Sequence, residues 1–121
     1  MTRPQVRKAM GIMKNQCMQK NGVNNDQVGR IEEGVFMENH DVMCYITCIF
    51  KNMQVMNNNK LDLARVSKQI DLLYPQELKE PVKRAVASCV LLQDGYTDMC
   101  EGVFHATKCL YEKDPSAFIF P

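Results

Sequence analysis

Apolar residues recur every three or four positions along most of this chain, a pattern that predicts an all-α fold of about six helices. Across residues 4–19, Val6, Met10, Met13 and Cys17 fall on one face, while Arg7, Lys8 and Lys14 lie largely elsewhere. Pro4 suits a first helical turn. Residues 24–33 predict a weaker, polar helix, capped by Asn24 or Asn25 and limited by Gly29 and Gly34. Residues 41–56 are the most informative. Between 42 and 50 almost every side chain is apolar, as in a central helix covered all round. A buried strand would read alike over so short a run, but Cys44 and Cys48 stand one helical turn apart, which puts both sulfurs on one face. Met43, Ile46, Phe50 and Met53 make a second face at helical spacing.

Asn57-Asn58-Asn59 predicts a loop, and Asp62 can cap a helix in which Leu63, Val66, Ile70 and Leu73 align. Tyr74-Pro75 ends that helix. The next runs from Gln76 or Pro81 to Gln93, with Val82, Ala85, Val86 and Cys89 inward and Pro81 as its first turn. Gly95 stops it, and Thr97 caps a last helix that carries Val103, Ala106, Thr107 and Leu110 inward to about Lys113. After the Asp114-Pro115 break comes Ala117-Phe118-Ile119-Phe120-Pro121. Chain ends are polar and frayed unless tied down, so this apolar tail is expected to dock, most simply on its own domain.

A length of 121 residues suits a single domain, residues 1–121, burying roughly two-thirds of the surface of its unfolded chain. Fifteen basic residues against fourteen acidic ones leave a net charge of +1 with no basic stripe, which argues against a nucleic-acid partner. The longest apolar run is far short of a membrane span. The opening Met1-Thr2-Arg3-Pro4 has no apolar secretory character, so secretion would need a leader already removed.

Six cysteines, Cys17, Cys44, Cys48, Cys89, Cys100 and Cys109, point to an oxidising compartment and three disulfides. No Cys-x-x-Cys is present and there are only two histidines, so a zinc site is not expected, nor is any other metal or cofactor. Cys100 and Cys109 lie about two and a half turns apart on their helix and need different partners. Six cysteines allow fifteen pairings, among which count cannot choose.

The spacing C-x26-C-x3-C-x40-C-x10-C-x8-C resembles the six-cysteine signature of insect odorant-binding proteins. Met43-Cys44-Tyr45, Cys100-Glu101, Thr107-Lys108-Cys109 and the closing Phe118-Ile119-Phe120-Pro121 resemble the branch with medium-length tails, which includes the alcohol- and pheromone-sensitive carriers of flies. The resemblance implies the pairs Cys17–Cys48, Cys44–Cys100 and Cys89–Cys109. It also implies a secreted carrier of small volatile molecules, odorants or pheromones, working in the lymph around chemosensory neurons if the role is chemosensory. Helices stapled in this way can surround an internal apolar cavity that side chains need not fill.

Nine methionines supply unbranched, polarisable wall material for such a cavity. Inward faces, combined with the family's pocket positions, select Met10, Met13, Ile46, Phe50, Met53, Val55, Leu61, Val66, Leu73, Val86, Val103, Thr107, Leu110, Phe118 and Phe120. Ile46, Phe50 and Val55 stand where alcohol-binding relatives carry hydroxyl side chains. Longer, weakly polar ligands are therefore expected: a long-chain alcohol, aldehyde, ester or terpenoid. The Thr107 hydroxyl or a tail amide would meet the polar end.

The resemblance makes residues 114–121 a lid that opens at low pH, with His105 as the switch candidate, because a histidine charges between about pH 5 and 7. An olfactory receptor and a second copy of the chain, as a homodimer, are candidate partners. Two other classes compete with the carrier. A secreted interaction protein of the same fold could use the apolar tail as an interface. His40-Asp41-Val42-Met43-Cys44-Tyr45 resembles the His-Asp element of secreted phospholipases A2, but an extra residue before Cys44 turns the pair by about 100° and no glycine-rich calcium loop precedes it. No other catalytic motif is present, and the chain is not expected to be an enzyme.

Overall fold

The computed structural model describes residues 1–121. Helix α1 spans Arg3–Asn21, with Thr2 and Gln5 in a reciprocal capping box and Pro4 in the first turn. It ends on Gly22, whose φ of 64° is left-handed backbone that glycine adopts without strain. Val6, Met10 and Cys17 are its buried face. The weak second stretch divides into two. Helix α2 covers only Asn25–Val28 under an Asn24–Gln27 capping box, and a 3-10 turn follows at Ile31–Glu33.

Helix α3, His40–Asn52, is the central element, and Val42, Tyr45, Ile46, Thr47, Cys48 and Ile49 are all buried in it. Asn39 caps it through its side-chain oxygen, which accepts from Asp41 N and Val42 N. The helix stops short of Met56 because Gln54 takes a φ of 62° and Met56 pairs instead with Leu61 in a two-stranded antiparallel ribbon. The expected loop at Asn57-Asn58-Asn59 is thus the tip of a hairpin between β1 (Met56–Asn57) and β2 (Lys60–Leu61). Asn58 and Asn59, at φ 53° and 62°, occupy the left-handed positions that such a two-residue turn requires.

Asp62 caps helix α4, Leu63–Leu73, by accepting from Arg65 N at 3.0 Å. Helix α5, Gln76–Cys89, begins at Gln76 and carries Pro81 inside its second turn. The missing Pro81 N–H would have faced the carbonyl of Glu77, an exposed residue of the first turn. From Val90 to Gly95 the backbone tightens into a 3-10 segment. Helix α6, Met99–Lys113, is capped by Asp98 rather than Thr97, because the Asp98 carboxylate accepts from Glu101 N at 2.8 Å.

Helix α3 packs between α1 and α6, and α5 lies against α6 and α4. The disulfides are Cys17–Cys48, Cys44–Cys100 and Cys89–Cys109, with Cα separations of 5.7, 4.8 and 5.7 Å. They join α1 to α3, α3 to α6 and α5 to α6. On the loop-closure account, separations of 31, 56 and 20 residues give each bridge about 3–4 kcal/mol. Helices α2 and α4 carry no cysteine. No helix is long and apolar enough to cross a membrane.

Candidate functional site: an apolar cavity closed by the tail

A cavity of about 60 Å³ lies within a looser envelope of about 630 Å³ of space between atoms, its mouth included. Helix α1 contributes Met10, the α3 end Phe50 and Met53, the turn after it Val55, and α4 Val66, Gln69 and Ile70. The left-handed Gln54 turns the chain back so that Val55 follows Met53 into the wall. Val82, Ala85 and Val86 of α5 and Leu110 of α6 form the far side.

The tail completes the enclosure. After a 3-10 turn at Pro115–Ala117 it runs extended, and residues 117–120 are buried and line the cavity. The Phe118 ring packs edge-on against Tyr111 at 5.8 Å and tilts against Phe36 at 6.1 Å. Phe120 sits 5.5 Å from Phe50 and 6.4 Å from Tyr45. Two polar attachments flank these rings. Arg3 donates from Nη1 to the carbonyl of Ser116 at 2.6 Å and from Nη2 to that of Phe118 at 2.7 Å. The hydroxyl of Tyr45 donates to the carbonyl of Pro121 at 3.1 Å.

The balance of the tail is close. Burying Phe118, Ile119 and Phe120 contributes about 1.5–3 kcal/mol each. Ordering the backbone of residues 117–120 costs about 1–2 kcal/mol per residue. These terms nearly cancel, so the three hydrogen bonds, at about 1 kcal/mol each, decide whether the tail stays down.

Of the residues singled out from the sequence, Met10, Phe50, Met53, Val55, Val66, Val86, Leu110, Phe118 and Phe120 meet in this cavity. Leu61 lines a smaller adjoining one with Phe50, Val86 and Leu110. Met13 packs half-buried against the core, and Leu73 is half-buried outside the lining. Ile46 and Val103 are fully enclosed in the core and do not reach the cavity. Thr107 is also fully buried outside it, and its hydroxyl donates to the Val103 carbonyl one turn back at 2.7 Å. His105 stacks on Tyr96 at 4.5 Å and meets neither the cavity nor the tail aromatics.

The polar lining is Gln69, Tyr74 and Asp114, none of them selected by an apolar pattern. Gln69 Nε2 donates to Met53 O at 2.8 Å, and Asp114 Oδ1 accepts from Ser116 Oγ at 2.7 Å. Burial pushes the Tyr74 hydroxyl up to about 12, with Arg3 pulling the other way and Glu32 reinforcing the rise. Burial likewise raises Tyr45.

His40 lies outside the cavity, exposed at the start of α3. Its Nε2 is 3.1 Å from the Asp98 carboxylate, and its ring lies beside the Cys44 sulfur. Cys44 and Cys100 are bonded to each other, so this group offers no thiolate for a metal.

Comparison with known proteins places this arrangement. Over 120 residues the chain is 28% identical to general odorant-binding protein 72 of Anopheles gambiae, covering 99% of this chain and 98% of that one. Odorant binding protein 4 of the predator Chrysopa pallens superposes with a TM-score of 0.87 at 30% identity, over 100% of this chain and 99% of its own. Odorant binding protein 5 of Apis mellifera does so with a TM-score of 0.83 at 27% identity, over 100% and 98%. The PBP/GOBP family model matches residues 1–113, which include all six cysteines and all six helices. On its cysteine frame, its fold and this whole-length match, the chain belongs to the PBP/GOBP family, whose members are odorant-binding carriers rather than enzymes.

Proposed function

We propose that the protein is a secreted carrier that takes up one small, weakly polar volatile molecule in this cavity and carries it through water. The observation that carries this reading is an apolar cavity with a mouth, closed on one side by residues 117–120. The empty cavity has room for only a few waters, so a ligand of ten or more heavy atoms must push the wall outward. Unbranched Met10 and Met53 and the marginally held tail are the parts that yield at least cost.

In this reading residues 114–121 are the lid, and release at lower pH runs through it. A receptor or a second copy of the chain would meet the loaded, closed form.

The test is competitive displacement of an apolar fluorescent probe by long-chain aldehydes, esters, alcohols and terpenoids, at neutral pH and near pH 5. Micromolar displacement, weakened at the lower pH and insensitive to pH once residues 116–121 are deleted, is the expected result. A folded, three-disulfide sample that takes up no probe at either pH refutes the carrier and favours a protein partner. Equal pH dependence with and without the tail refutes the gate alone.

A further inference from the structure

We propose that the Tyr74 hydroxyl is the hydrogen-bond donor for the ligand's oxygen, and that it makes the cavity select oxygenated chains over hydrocarbons of equal size. The inference rests on the carrier reading and names the ligand class of that same cavity.

An otherwise apolar cavity recognises a polar end only through a group that is free to bond. Three lining residues carry polar groups, and in two of them a bond to the protein already holds one polar atom. The Gln69 amide donates to the Met53 carbonyl, holding α4 against the end of α3. The Asp114 carboxylate takes the Ser116 hydroxyl inside the tail turn. The Thr107 hydroxyl is spent on its own helix and does not reach the lining. Tyr74 differs. It lines the cavity, packs against the core, and its hydroxyl has no hydrogen bond to any protein group, only the charges of Arg3 and Glu32 nearby.

The chain fixes this side chain in place. Tyr74 closes α4 with its N–H on the Ile70 carbonyl at 3.0 Å, then turns extended at φ −81° and ψ 151° because Pro75 follows. Its ring is therefore set by a helix end and a proline. A half-buried phenol with no protein partner at an apolar wall is a donor left free for a ligand. A carbonyl or hydroxyl oxygen can accept from it, and a methyl group cannot.

The experiment compares decanal, decanol and undecane, which match in heavy atoms, as displacers of an apolar probe from the wild type and from Tyr74→Phe. The substitution removes one oxygen with no protein partner, so the fold is expected to hold, and an unchanged helical circular dichroism spectrum and thermal midpoint verify it. Wild type should bind decanal about fivefold to tenfold more tightly than the Tyr74→Phe variant does, with undecane unchanged between them. Equal loss for decanal and undecane, or no loss for either, overturns the proposal. So does a selective loss that appears in Gln69→Met and not in Tyr74→Phe, which would move recognition to the amide. Failure of all three compounds to displace the probe from wild type overturns the proposal, whereas a wild type that takes up no probe overturns the carrier reading as well.

Discussion

Arg3 and Phe118, 115 residues apart in the chain, are joined by a 2.7 Å hydrogen bond from guanidinium to backbone carbonyl. The same fork holds Ser116, so the first turn of α1 grips both the middle and the exit of the turn that launches the tail. Arg3→Ala should release an apolar probe about fivefold to tenfold faster in stopped flow, while the helical circular dichroism stays unchanged. Arg3→Lys should recover only part of this, because an ammonium lacks the planar fork that spans two carbonyls. Release rates equal to wild type would mean that the aromatic contacts alone hold the tail.

Tyr45 is wholly enclosed on α3 and reaches the opposite end of the tail through the Pro121 carbonyl. Tyr45→Phe keeps the ring beside Phe120 and removes only the donor. We expect about 0.5–1.5 kcal/mol of lost stability in urea unfolding and faster hydrogen exchange confined to residues 118–120. Exchange rising equally across α3 would instead assign the hydroxyl a role in the core.

The Asp98 carboxylate is held below the usual carboxylate range, first by the Glu101 N–H and then by His40. Its folded value lies below its unfolded one. The stability it contributes is therefore complete above the unfolded value, near pH 4, and is lost as the pH falls through the folded value. Asp98→Ala should cost about 1 kcal/mol at pH 7, as loss of a helix cap does, and less near pH 2. Thermal melts at the two pH values measure it. A gap of constant size would exclude the charge as its source.

For Tyr74 the sign is opposite. Its folded value rises to about 12, so its contribution is present below the unfolded value, near pH 10, and fades as the pH climbs toward 12. The 295 nm absorbance of wild type minus that of Tyr74→Phe should titrate with a midpoint near 12. A midpoint near 10 would put the hydroxyl in water and remove the basis for its contact with a ligand.

Much of the fold was legible because helical periodicity records burial. Val6, Met10 and Cys17 on α1, and the apolar run on α3, lie where their spacing put them. The bridges were legible through the resemblance carried by the cysteine gaps. The cavity was legible in part, since spacing identifies an inward face without saying whether that face meets neighbours or empty space. Ile46 and Val103 meet neighbours, whereas Phe50 and Leu110 meet space. Polar wall residues were invisible to the same reasoning. Gln69 and Tyr74 interrupt the apolar pattern, and only the position of α4 brings them to the cavity. The hairpin did leave a sign in its paired asparagines, residues that tolerate left-handed backbone.

The placement of the bridges gives the cavity walls unequal stiffness. α1, α3, α5 and α6 form one covalent frame, tied at three points that a ligand cannot part. α4 stands outside that frame, held by a two-residue ribbon before it, by Tyr74-Pro75 after it, by the Gln69 amide on the Met53 carbonyl and by the Lys83–Asp71 ion pair. Molecules of different girth therefore meet the least resistance on the sides that no bridge crosses, at α4 and at the tail.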